Sequence, residues 1–142
     1  MMEYPVVLTP LDNGDIMAKF PDVSEAITYG HDLPHALAMA EDALMTAFEF
    51  YFDDRMHIPQ PSKPEPGQQV ITLSPMVTAK LAIYEAMIEE GITQVELASR
   101  LKCDPKQVRR LLDLYHNSRL DQLEKALRAL GRQLIVEVRK AA

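Results

Sequence analysis

Two strong helix-start signals stand eleven residues apart, at Thr93 and Asp104, and that spacing constrains the fold of this chain more than any other feature. Thr93-Gln94-Val95-Glu96 is a capping box: the Thr93 hydroxyl can accept from the Glu96 amide while the Glu96 side chain reaches back to the Thr93 amide. Ile92 and Leu97 occupy the positions of a hydrophobic staple. Asp104-Pro105-Lys106-Gln107 repeats the logic, with an acidic cap and a proline at the first helical position, where a missing N–H has no partner to lose. A helix begun at Thr93 must therefore end and turn near Lys102-Cys103 before the next begins. Ala98 is small enough to let the two approach closely.

On a wheel of about 100° per residue, Val108, Leu111, Leu112 and Tyr115 point one way and Lys106, Arg109, Arg110 and Asp113 the other. Taken alone, such a basic face is an ordinary solvated one. Joined to two caps and a tight turn, it predicts a helix-turn-helix whose second helix enters duplex DNA. Amides and the positive dipole end at its start favour phosphate. Arginine and lysine can donate to guanine O6 and N7, and Gln107 can pair with adenine N6 and N7. The expected DNA-binding residues are Thr93, Gln94, Lys106, Gln107, Arg109 and Arg110, with Gln94 a candidate phosphate contact.

The net charge of −6 over 142 residues argues against nucleic acid until its distribution is considered. Residues 1–73 carry 12 acids against three bases, whereas residues 74–142 carry 9 acids against 12 bases. The acidic half suits a basic protein and repels phosphate, and the basic half suits DNA. With one cysteine there is no internal disulfide, and no run approaches the roughly 20 apolar residues of a membrane span. No secretory signal opens the chain, so a cytoplasmic location is expected.

The N-terminal half reads as a small antiparallel sheet with one packed helix. Tyr4 to Thr9, Asn13-Gly14 and Asp15 to Phe20 form a hairpin signal, and Ala26 to Tyr29 a third short strand. Asp32 can cap a helix whose first turn tolerates Pro34, with Leu37, Ala40, Leu44, Ala47, Phe48 and Tyr51 on one face. Four prolines between Ile58 and Gly67 make a stiff connection, and Gln69 to Leu73 adds a strand, placing the domain boundary near Leu73. The C-terminal domain, 74–142, reads as helical: Ser74 and Pro75 open a helix that Gly91 ends. The two short helices follow, and Ser118 with Asp121 resembles a cap for a fourth, carrying Leu120, Leu123, Leu127 and Leu130. A final strand over 133–138 presents Leu134, Val136 and Val138 as candidates for dimerisation. The fold class is α+β.

Weaker signals carry less. Asp12, Asp15, Asp22, Glu25, Asp53 and Asp54 lie in or near loops, and nothing in their spacing makes them converge on a magnesium ion. His31 and His35 at i, i+4 lack companion ligands, so no metal and no cofactor are expected. Cys103 reads as a small packing residue. The dense aromatic run Phe48, Phe50, Tyr51, Phe52 cannot all face inward and offers part of a protein interface. Besides a DNA-binding protein, the residues alone leave open a metal-dependent nuclease using the N-terminal carboxylates and a one-component ligand-sensing repressor.

Taken in order, these pieces resemble the HicB antitoxins. The resemblance rests on Tyr4-Pro5-Val6-Val7-Leu8-Thr9-Pro10, the Asn-Gly hairpin, Pro21-Asp22, Asp42-Ala43-Leu44 with Phe48 and Tyr51-Phe52, and Ile58-Pro59 with Pro61. It continues through a Cro-type helix-turn-helix, Thr93-Gln94, Glu96-Leu97-Ala98, Arg100-Leu101, and Ala126, Ala129-Leu130-Gly131. It implies a non-enzymatic antitoxin whose N-terminal domain, similar to a ribonuclease H core without catalytic residues, masks a small mRNA-cleaving HicA toxin. It also implies repression of its own operon through an inverted-repeat operator, by a homodimer or higher even-numbered oligomer. Lys102 departs from the pattern, since such turns commonly carry glycine and a left-handed lysine costs roughly 1 kcal/mol.

Overall fold

A computed structural model of the chain describes residues 2–141. It is an α+β fold dividing into two compact units, Met1–Thr78 and Ala79–Ala142.

In the first unit, β1 (Glu3–Pro5) and β2 (Val7–Pro10) divide the expected first strand at Val6. The halves serve different sheets. β1 pairs antiparallel with β5 (Val70–Thr72), while β2, β3 (Ile16–Phe20) and β4 (Val23–Gly30) form a three-stranded antiparallel meander. The expected single sheet is therefore two sheets. Val6 N–H still bonds to Gln69 O at 3.0 Å and Leu73 N–H to Met2 O at 3.0 Å, which extends the first pairing at both ends. The hairpin loop is longer than a two-residue Asn-Gly turn. Gly14 N–H bonds to Leu11 O, Leu11 N–H bonds to Asp15 O, and Gly14 alone takes the positive φ of +91°.

Helix α1 (Leu33–Asp53) lies on β4 and β3. Asp32 caps it as expected, its Oδ1 accepting from His35 N–H at 2.9 Å, with Pro34 in the first turn. Its inner face is Ala36, Ala40, Leu44, Met45, Ala47 and Phe48, and emptying one such site, as in Leu44→Ala, costs roughly 2–5 kcal/mol. The strand-to-helix corner is tight. A Cβ on Gly30 would stand 2.3 Å from Ala36 N, a backbone atom that cannot give way. The proline-rich segment packs down through Tyr4, whose hydroxyl donates to Pro59 O at 2.7 Å, and through Asp22, which accepts from Ser62 N–H and Oγ.

Helix α2 (Pro75–Glu90) begins in the first unit and ends in the second, which continues with α3 (Gln94–Leu101), α4 (Pro105–Leu112) and α5 (Leu120–Ala129). Leu81, Ile83, Leu97, Val108, Leu114, Leu123 and Leu127 supply much of its core. Four helices of the chain close alike, with a left-handed residue followed by a six-to-one bond. These bonds are Met56 to Tyr51, Ile92 to Met87, Cys103 to Ala98 and Arg132 to Leu127. Glycine takes the left-handed position at Gly91 and Gly131, but Arg55 and Lys102 take it at φ 55°.

Two C-terminal expectations are corrected. The residue before α5 is Arg119, whose guanidinium grips Asp121 at 3.1 and 3.0 Å, and Ser118 provides no cap because the helix starts one residue too late for it. Residues 133–138 form no strand: Leu134 is half-buried, and Val136 and Val138 are 65% and 91% exposed. A strand needs a neighbour to take its N–H and C=O groups, and this segment pairs with none among the described residues.

Candidate functional site

Of the expected DNA-binding side chains, Thr93, Gln94, Lys106 and Gln107 fall on two helix starts, and Arg109 and Arg110 in the last turn of the second helix. Thr93 Oγ1 accepts from Glu96 N–H at 3.1 Å, the forward bond of the capping box, and Gln94 beside it is exposed. Asp104 Oδ1 accepts from Lys106 N–H at 2.8 Å, starting α4, which packs on α3. Val108 and Leu111 are buried, and burying them turns Lys106, Gln107, Arg109 and Arg110 to solvent.

Electrostatics separates this face from the rest of the unit. Arg119 pairs with Asp121, Arg128 with Glu124 four residues away, Arg132 with Glu89 and Glu90, and Arg139 with Glu137, while Arg100 donates to Ala129 O. The guanidinium beside Asp121 draws that carboxyl below its usual range. Lys106, Arg109 and Arg110 have no ion-pair partner among the described residues. Among the described residues every arginine of the unit is engaged except the two on α4. A cleft of about 300 Å³ reaches α4 at Gln107 and Leu111, and Lys102, Arg119, Gln122 and Lys125 also line it, without a carboxylate.

The N-terminal carboxylates have separate structural jobs. Asp15 accepts from Asn13 and lies 3.3 Å from His31 Nδ1, Asp22 holds Ser62, Glu25 accepts from Tyr51, and Asp54 closes α1. His31 and His35 stack with centroids 5.0 Å apart, and His31 N–H donates to His35 Nδ1. Among the described residues no group of three or more His, Cys, Asp or Glu could hold a metal ion, and no helix is long and apolar enough to cross a membrane.

Sequence reasoning missed the open face of the meander. Val7, Lys19 and Ile27 stand in one cross-strand row and Thr9, Met17 and Tyr29 in the next. Val7, Ile27 and Tyr29 are 41%, 50% and 52% exposed. The signal was the alternation in β4, where Ala26 and Gly30 are buried and Ile27 and Tyr29, between them, are exposed. Of the aromatic run, Phe48 is buried, Tyr51 and Phe52 are half-buried, and Phe50 is exposed.

A cationic helix face in one unit and an apolar sheet face in the other, with the carboxylates tied into turns and caps, are the surfaces of a binding protein. The chain belongs to the HicB-like antitoxin family: the family described as HicB_like antitoxin of bacterial toxin-antitoxin system matches residues 3–82. It is 39% identical to Antitoxin HicB of Escherichia coli K12 over 133 residues, covering 94% of this chain and 96% of the relative. Antitoxin HicB 1 of Photorhabdus laumondii is 39% identical over 137 residues, 96% and 87% of the two chains. Antitoxin HicB of Pseudomonas fluorescens is 33% identical over 142 residues, 99% and 97%. An antitoxin acts by binding, so membership makes this chain a non-enzymatic protein and supports an antitoxin function.

Proposed function

We propose that the chain neutralises an mRNA-cleaving HicA-type toxin through its N-terminal unit and represses its own operon through a helix-turn-helix formed by α3 and α4. The observation that carries the DNA reading is that Arg109 and Arg110, one turn on from Lys106 on α4, have no ion-pair partner among the described residues, in a unit whose other arginines are engaged. Cations without internal partners are free to displace counterions from a phosphate backbone. Thr93 and Gln94 contact phosphate, and Lys106, Gln107, Arg109 and Arg110 face the groove.

The toxin reading is supported by charge and by the meander. A protein that cleaves RNA must itself be cationic where it holds phosphate. Residues 1–73, with 12 acids against three bases, complement it, and Val7, Ile27 and Tyr29 offer the apolar centre that an interface needs. Three antiparallel strands leading into α1 are read as a ribonuclease-H-like core without its carboxylate centre. Dimerisation is assigned to the terminal segment, in which Leu134, Val136 and Val138 pair with a second copy and place two reading helices on an inverted repeat.

The test is a titration of the full chain against the DNA upstream of its own coding region and against a scrambled fragment. Preference for the upstream fragment that weakens steeply with salt supports repression, and equal binding rejects it. Co-expression with a HicA-type toxin tests the other half: the pair should co-purify, and cells should survive.

A further inference from the structure

Lys80 is the one charged side chain with no exposure among the described residues. It sits within α2, and its ammonium donates to three main-chain carbonyls: Arg110 O at 2.8 Å, Asp113 O at 2.7 Å and His116 O at 2.8 Å. An ammonium has three N–H donors, and here each has an acceptor. Arg110 lies in the last turn of α4, where its carbonyl otherwise accepts only from Asp113 N–H at 3.3 Å, and Asp113 and His116 belong to the loop that leads to α5. A cation there also meets the negative end of the helix dipole.

From this geometry we infer that Lys80 is a positioning residue for DNA recognition: its buried ammonium clamps the exit of α4 and so fixes the direction in which Arg109 and Arg110 leave the surface. This rests on the DNA reading proposed above. Arg110 is held at its carbonyl by the interior while its side chain faces solvent. The grip on the loop is reinforced locally, since Tyr115 N–H donates to Asp113 Oδ1 and His116 N–H to Asp113 O.

Burial alone does not explain the choice of lysine. Removal from water lowers the pKa of Lys80, with the Asp113 charge acting the other way, so the ionised form is held at a cost. Buried ions are often replaced by apolar groups of similar volume without loss of stability. Methionine would fill similar space but remove one donor from each of three carbonyls, leaving Arg110 O and Asp113 O with only a main-chain N–H. What the ammonium adds is a three-point fix on one end of a two-turn helix, and base readout depends on such alignment more than phosphate contact does.

The experiment compares the full chain with Lys80→Met on two probes, the DNA upstream of its own coding region and a scrambled fragment of equal length, alongside circular dichroism. The expected result is retained helix content, unchanged affinity for the scrambled fragment, and a loss of about tenfold or more on the upstream one, the scale of a misplaced base contact. Unchanged upstream affinity, or parallel loss on both probes with loss of helix, would overturn it. A second pair does not depend on methionine. Lys80→Cys in a Cys103→Ala background is alkylated in denaturant and refolded, to carry either an aminoethyl group, which restores the ammonium, or a propyl group, which does not. Upstream preference should return with the first alone. Failure of both uncharged forms to fold would leave Lys80 purely structural and defeat the inference. A parent chain that shows no preference between the probes would instead defeat the DNA reading itself.

Discussion

The hydroxyl of Tyr51, near the end of α1, donates to the carboxylate of Glu25 on β4, its oxygen 2.9 Å from Oε1 and 2.8 Å from Oε2. Burial, the hydrogen bond and the Glu25 charge, in that order, push the phenol up from 10.0 to about 12. A pKa raised in the folded chain means stability that is fully present below pH 10 and lost as pH climbs through about 12. Unfolding should therefore become easier across that window, and Tyr51→Phe should flatten the dependence. Absorbance titration of the chain and of Tyr51→Phe gives a direct reading: the difference between the two curves is the Tyr51 step, and it should rise through about pH 12. A difference curve that rises near pH 10 instead would reject the assignment.

Gly30→Ala should destabilise the N-terminal unit by roughly 1–3 kcal/mol, the usual range for forced overpacking. The added methyl would press on Ala36 N at 2.3 Å, and relief requires moving the start of α1 away from β4. Chemical denaturation monitored by tyrosine fluorescence measures the change. Gly67→Ala is a useful contrast, because nothing stands within 4 Å of a Cβ there and its effect comes from the positive φ of 77° alone.

What was legible in the sequence was local. Asp32 with Pro34, Thr93 with Glu96, and Asp104 with Pro105 mark helix starts because cap and capped amide lie two or three residues apart. Gly91 and Gly131 mark ends for the same reason. Arg55 and Lys102 end helices in the same conformation without glycine, and no residue type announces that. The division of the first strand at Val6 escaped notice because it depends on Gln69, far along the chain. Lys80 passed as one more base, since its acceptors are main-chain atoms 30 or more residues away. The terminal segment reads as a strand because its residues favour one, yet a strand is a property of two segments. On the candidate site, the α4 face was readable from helical spacing, whereas its isolation from acids required the fold.

Lys102→Gly should stabilise the C-terminal unit by about 0.5–1 kcal/mol, because a left-handed lysine is sterically disfavoured and glycine is not. Lys102 holds φ 55° and ψ 46° with an exposed side chain, so no packing is lost. Thermal melting measures this, and an unchanged or lower midpoint would mean that the lysine side chain contributes more at the turn than its backbone strain costs.

Arg109→Ala and Arg110→Ala should each weaken binding to the upstream fragment by roughly 1–3 kcal/mol. Arg128→Ala is the control, an arginine paired with Glu124 on α5 whose loss should leave DNA affinity unchanged. A base contact also relaxes one sequence preference, whereas equal loss on random DNA identifies a phosphate contact. Competition between upstream and random fragments separates the two outcomes.

A chain ending at Gly131 should be monomeric and should bind one half-site. The deleted segment begins with Arg132, which is fastened to Glu90 Oε1 at 2.7 Å, to Leu130 O at 2.6 Å and to Glu89, so the segment leaves the unit from a fixed point. Beyond that point Ile135, Val136 and Val138 are 77%, 65% and 91% exposed, a concentration of apolar surface that a second copy can cover and water does not favour. Sedimentation of both chains at equal concentration decides the matter. If the shortened chain remained dimeric with unchanged affinity, the segment would have no part in assembly, and α5 with the exposed Leu120 would be the next surface to test.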